Sequence, residues 1–104
     1  MSIETIVGPL KGVGAETISA GATDSTLTSG TYGNASFAVV SVTDANSVLI
    51  TIQNDAGNAP ADGSKGIYLD RSHGAYSINC DLSKVLIRRG GGSDCSINVN
   101  YFGA

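Results

Sequence analysis

The chain has 104 residues, enough for one domain that buries roughly two thirds of the surface its unfolded form exposes. Charged residues make up 14% of it against a typical ~25%, and six Lys and Arg against nine Asp and Glu leave a net charge of −3, with no basic footprint for nucleic acid. No stretch approaches the ~20 apolar residues of a membrane span, and "MSIETIVGPL" lacks the basic start and long apolar run of a signal peptide, so no membrane role and synthesis in a cytoplasm are expected.

The amino-terminal third, "TIVGPLKGVGAETI", carries glycines at 8, 12 and 14 and Pro9. This pattern predicts an extended arm or edge strand over residues 1–14, followed by strands near 16–20 and 25–28. Ile3, Ile6, Val7, Leu10 and Val13 are too many apolar side chains for a solvated tail and need a surface to cover, on this chain or another. Ile3, Ile6, Val7 and Leu10 are candidate partner contacts.

Beyond the arm the period of the pattern is two, with no sustained helical periodicity. "SFAVVSV" (36–42) and "VLITIQ" (48–53) flank "TDANS", where Asp44 and Asn46 have turn chemistry, and this reads as a first hairpin. The Asn-, Asp- and Gly-rich break over 54–66 is long enough to cross between sheets or to form a functional loop. Its Asn54, Asp55, Asn58 and Asp62 offer oxygen ligands but do not match a calcium-loop pattern, so solvated loop residues are expected there.

A second hairpin is predicted where "GIYLD" and "AYSINCDL" flank "RSHG", with Gly74 supplying a positive φ and Tyr76, Ile78, Cys80 and Leu82 sharing one face. Arg71 and His73 fall at its exposed tip and are further candidate partner contacts. A third is predicted between residues 85–89 and 95–101. A five-residue loop sets Ile87 opposite Ile97 and Val85 opposite Val99, whereas a one-residue slip would send every side chain to the wrong face. In that hairpin the glycines at 90, 91 and 92 take φ values other residues resist, Asp94 closes the loop, and Lys84, Leu86, Arg88, Ser96, Asn98 and Asn100 form a solvated outer face.

The residues that carry chemistry are few. "RRGGGSD" lacks the Lys-Ser or Lys-Thr and the following helix of a phosphate loop. His73 is the one histidine in the chain, and with two cysteines it falls short of a zinc ligand set. Ser72 and His73 adjoin, but neighbouring residues point apart and the sequence nominates no orienting acid. No catalytic, cofactor-binding or metal-ligating residue is therefore assigned, no cofactor is expected, and the chain does not read as an enzyme. In the simplest meander Cys80 and Cys95 are displaced by four residues, about 13 Å at ~3.3 Å each and beyond the ~7 Å a disulfide tolerates. Free thiols are expected, unless the segment after Cys80 crosses to the other sheet and brings the pair together in the core.

About eight short strands at this spacing, without internal repeats, predict an all-β fold: a single-domain antiparallel β-sandwich, jelly-roll-like, over residues 15–104, with an extended amino-terminal arm over 1–14.

A chain of this size, poor in charge, rich in Gly, Ser, Thr and Ala and ending "IRRGGGSDCSINVNYFGA", resembles the small β-sandwich capsid decoration or cement proteins of tailed bacteriophages. The resemblance lies in composition and in the carboxy-terminal "INVNYF" strand. It implies a structural virion protein at the capsid surface, made in the host cytoplasm and assembled as a homo-oligomer, dimer or trimer. It would bind the major capsid protein or another virion protein, with "SIETIVGPL" as its arm. Two other functions stay open. One is a glycan-binding, lectin-like module or tail or fibre accessory protein for host attachment, although most of the aromatics (Tyr32, Tyr68, Tyr76, Tyr101, Phe37 and Phe102) read as core. The other is a small jelly-roll enzyme, for which the single His73 and dispersed acids supply no cluster.

Overall fold

The computed structural model describes residues 11–53 and 66–103. Eight strands are formed there: β1 (Lys11–Ala20), β2 (Ser25–Thr26), β3 (Phe37–Val42), β4 (Ser47–Ile52), β5 (Ile67–Asp70), β6 (Tyr76–Ile78), β7 (Val85–Arg89) and β8 (Cys95–Gly103). One turn of helix, α1 (Ser29–Tyr32), follows β2, and short 3-10 turns at Arg71–His73 and Leu82–Lys84 precede β6 and β7.

The strands form two four-stranded antiparallel sheets, in the orders β1-β8-β3-β6 and β2-β7-β4-β5. Four of the pairings are nested: β1 with β8, β2 with β7, β3 with β6 and β4 with β5. The chain is thus one long antiparallel ribbon with its tip between β4 and β5, rolled so that β8 also meets β3 and β7 also meets β4. That is the topology of a jelly roll, the sandwich expected from the pattern.

None of the three expected hairpins forms. β3 and β4 lie in different sheets, as do β5 and β6, and β7 and β8. Each short connection passes over the core from one sheet to the other. The break over 54–66 does the opposite of crossing, because it joins neighbours of one sheet, with Ile50 opposite Ile67.

Ile87 and Ile97 are both fully buried, as the register argument required, but Ile97 is flanked by Ile18 and Val42, and Ile87 by Ser25 and Ile50. Alternation fixes which side chains point inward. It does not distinguish two inward rows standing side by side in one sheet from two rows packed face to face across a core ~10 Å thick.

The core is built from both sheets. Ala38, Val40, Ile97, Val99 and Tyr101 come from the first, and Val48, Ile50, Leu69, Val85 and Ile87 from the second. Ile78 and Leu82 are buried, and Tyr76 and Cys80 pack against the same cluster. The expected outer face of the third hairpin is accordingly divided. Ser96, Asn98 and Asn100 stand on the outside of the first sheet, whereas Leu86 and Arg88 belong to the second, and Leu86 is buried rather than an island on a solvated face.

β1 forms an edge of the first sheet, and Lys11, Gly12, Val13 and Gly14 of the expected arm or edge strand are its first residues. A long edge invites pairing with other chains unless it is blunted. Here the register shifts between Gly12 and Gly14, Glu16 shares the inward-facing row with Ile18 and Ala20, and α1 packs against the strand.

Both cysteines are free thiols, as expected, though for a different geometric reason. Ile78 is level with Ala38, and Ala38 with Tyr101. Cys95 precedes Tyr101 by six residues, about 20 Å at ~3.3 Å per residue, while Cys80 lies past Ile78 in the other direction.

Candidate functional surfaces

Three surface regions combine accessible groups with defined geometry. The first is the 3-10 turn that carries Arg71 and His73. Asp70 caps it: its Oδ1 accepts from the Ser72 amide (2.9 Å) and the Ser72 hydroxyl, and lies 3.1 Å from His73 Nδ1. The Asp70 amide also reaches that same Nδ1, at 3.0 Å. Hydrogen bonds from the Ser72 hydroxyl and amide hold the Asp70 carboxyl below the usual carboxylate range.

Gly74 ends the turn with φ 67°, as expected. Arg71 and His73 are exposed, and His73 stands edge-on to Tyr68 at 6.4 Å. An acid beside the imidazole is therefore present, supplied from three residues upstream, although the sequence nominates none. The hydroxyl that would serve as nucleophile is turned to Asp70 instead of to the imidazole, so the arrangement caps a turn and does not form a triad.

The second region is the polar end of the sandwich, where the β3–β4 and β7–β8 crossings lie side by side. Asp44 joins them: its Oδ1 accepts from the Asn46 amide at 2.9 Å and its Oδ2 from the Ser96 amide at 2.8 Å. The backbone bond from Ser96, then that from Asn46, pulls the Asp44 carboxyl down from its ordinary value. Asn46 donates through Nδ2 to the Asp94 carbonyl (3.0 Å), and the Gly90 amide donates to the Ser47 carbonyl (2.8 Å).

Gly90, Gly91 and Gly92 do not have positive φ, which among the described residues belongs to Gly33 and Gly74. The constraint at Gly90 is space, since a Cβ there would lie 2.7 Å from Ser47 Oγ and 3.3 Å from the Ser47 carbonyl carbon. Asp94 does close the loop, by pairing with Arg89 at 3.1 Å. Cys95 begins β8 beneath these crossings, and burial followed by the Asp44 charge pushes its thiol up to about 11, so it remains protonated and unreactive near neutral pH.

Between these crossings and β5 lies a cleft of about 210 Å³, lined by Asn46, Ser47, Tyr68, Asp70, Gly92 and Ser93 among others. Tyr68 is 50% exposed and so is not one of the core aromatics expected from the sequence. Its position next to Ile67 and Leu69 was the available signal, because both neighbours face the core and the residue between them must face outward.

The third region is the outer face of the first sheet. Ala15, Thr17 and Ser19 of β1 stand beside Ser96, Asn98 and Asn100 of β8, and these beside Ser41 and the buried Val39 of β3. Thr17 donates to Asn98 Oδ1 at 2.8 Å, and the Phe37 and Phe102 rings meet at 6.2 Å at one end. The described residues that face outward from β1, β8, β3 and β6 carry no charge.

Along its edge Tyr101 donates its hydroxyl to Glu16 Oε2, which also accepts from the Thr28 amide at 3.1 Å. Partial burial acts upward on Glu16, but the bonds from Thr28 and Tyr101 outweigh it and hold the carboxyl below its usual value. Burial, reinforced by Glu16, pushes the Tyr101 hydroxyl up.

Ile3, Ile6, Val7 and Leu10 lie outside the described residues, as do Asn54, Asp55, Asn58 and Asp62. Among the described residues no group of three or more His, Cys, Asp or Glu side chains could hold a metal ion. Compared with protein-family models, curated proteins and solved structures, the chain matches none.

Proposed function

We propose that the protein is a structural, non-catalytic component of a virion. In this reading it is a capsid decoration or cement protein that assembles as a dimer or trimer and reinforces the major capsid protein lattice through surface contacts and an amino-terminal arm. The observation that carries this reading is the continuity of one surface. The uncharged outer face of the first sheet ends at edge strand β1, and β1 begins at Lys11, directly after the segment bearing Ile3, Ile6, Val7 and Leu10. A face of neutral side chains can lie against another protein without desolvating charge, and the apolar side chains that precede β1 in sequence would add an anchor. Repetition over a lattice multiplies weak contacts of this kind. The jelly roll is at home in viral capsid and lectin domains, but fold alone does not select a function.

Deleting residues 1–8 is expected to leave the sandwich folded, as judged by an unchanged thermal transition, and to weaken cosedimentation with coat shells. Because the face is uncharged, attachment of the intact protein should survive high salt, which screens ionic contacts. Undiminished attachment of the truncated protein, or its loss in salt, would reject the reading.

A further inference from the structure

We propose that the cleft beside Tyr68 is a subsite for a single neutral pyranose ring bearing adjacent hydroxyls. The inference is independent of capsid attachment, because it rests on a different surface. The cleft has the make-up of a small-ligand site, an aromatic wall with a few polar groups converging on it. Tyr68 supplies the wall, half exposed and held edge-on by His73, and can take the C–H face of a sugar.

The polar groups are fixed in place. The Asp70 hydrogen bonds described above all fall on Oδ1, which leaves Oδ2 to accept from two neighbouring hydroxyls in charge-assisted bonds. Asn46 is oriented by its Nδ2 bond to Asp94, which keeps its Oδ1 as an acceptor. The Ser93 hydroxyl completes the rim.

Size and charge narrow the ligand. About 210 Å³ is below the ~300 Å³ at which drug-sized pockets begin, so the cleft itself has room for one ring. Its lining includes a carboxylate and no cation, and Arg88 and Arg89 are paired with Asp24 and Asp94. Uronates, sialic acids and phosphosugars are therefore disfavoured. One carboxylate with one oxygen already engaged also falls far short of the 6–8 oxygens calcium takes.

The test is a titration of the isotope-labelled full chain with the methyl glycosides of glucose, galactose, mannose and N-acetylglucosamine, followed by amide NMR. At least one glycoside should produce saturable shifts confined to Asn46, Tyr68, Gly91, Gly92 and Ser93, with a dissociation constant of order millimolar, about −4 kcal/mol. Tyr68→Ala should weaken it at least tenfold while the rest of the spectrum stays in place. Asp70→Asn keeps an oxygen for the Ser72 amide and should weaken it several-fold. The proposal is overturned if no glycoside gives saturable shifts, if Tyr68→Ala binds as the parent does, or if calcium chloride alone reproduces the shifts and the sugars do not.

Discussion

Glu16 and Tyr101 show how one hydrogen bond serves two purposes at the rim of this sandwich. An ionised carboxylate in the inward row of an edge strand discourages pairing with another chain, and Tyr101 and Thr28 supply the donors that make its position tolerable. Removing the donor in Tyr101→Phe should cost about 1–2 kcal/mol in urea unfolding. The folded carboxyl titrates below its ordinary value of 4.5, so its contribution is complete above that pH and is lost as the pH falls through the folded value. The stability gap between the parent and Glu16→Gln should therefore be widest near neutrality and shrink in acid. A gap independent of pH would show that the Glu16 charge is not what stabilises the rim. The sequence announces Glu16 only as a polar residue on the β1 stripe; Tyr101, 85 positions away, becomes its partner through the β1–β8 register alone.

At the scale of elements, the connections decide the architecture. "TDANS" and "RRGGGSD" have the composition of hairpin turns, and the local chemistry read from them is present: Asp44 bonds to Asn46, and Asp94 closes its loop. What they connect differs, because Asp44 reaches Ser96 at the start of β8 and Gly90 lies against Ser47 at the start of β4, contacts that stack the crossings instead of closing separate hairpins. The glycine run is thus unequal in function. Gly90→Ala, which must displace Ser47, should destabilise by about 1–3 kcal/mol, as overpacking does. Gly92→Ala meets nothing within 4 Å and needs no positive φ, so it should be neutral or stabilise by a few tenths to ~1 kcal/mol. Equal effects at the two positions, measured by thermal unfolding, would refute this division.

For the molecule as a whole, the nested pairing sets the order in which entropy must be spent. Lys11 opposes Gly103, so the outermost pair of the ribbon joins the two ends of the described chain, and such pairings yield their contacts only after a long loop has closed. Refolding measured by stopped flow should accordingly take milliseconds to seconds, in the range of all-β domains dominated by non-local pairing. Relaxation in tens of microseconds would contradict the ribbon topology. The arrangement also separates the two surfaces proposed for binding, an uncharged sheet face and a cleft at the crossings.

The sequence by itself determined the class of fold, the number of strands and the inward row of β8, Cys95, Ile97, Val99 and Tyr101, because alternation is a local property enforced by the pleat. It also determined which segments turn, since Asp, Asn and Gly act through bonds and φ values within a few residues. Only the tertiary structure decided that Ile87 and Ile97 lie in opposite sheets, that Tyr68 and Asp70 share a cleft with Ser93, and that Glu16 meets Tyr101. A stripe of apolar side chains is satisfied equally by a neighbour beside it or a sheet across from it. The choice between them belongs to how all eight strands close together around one core.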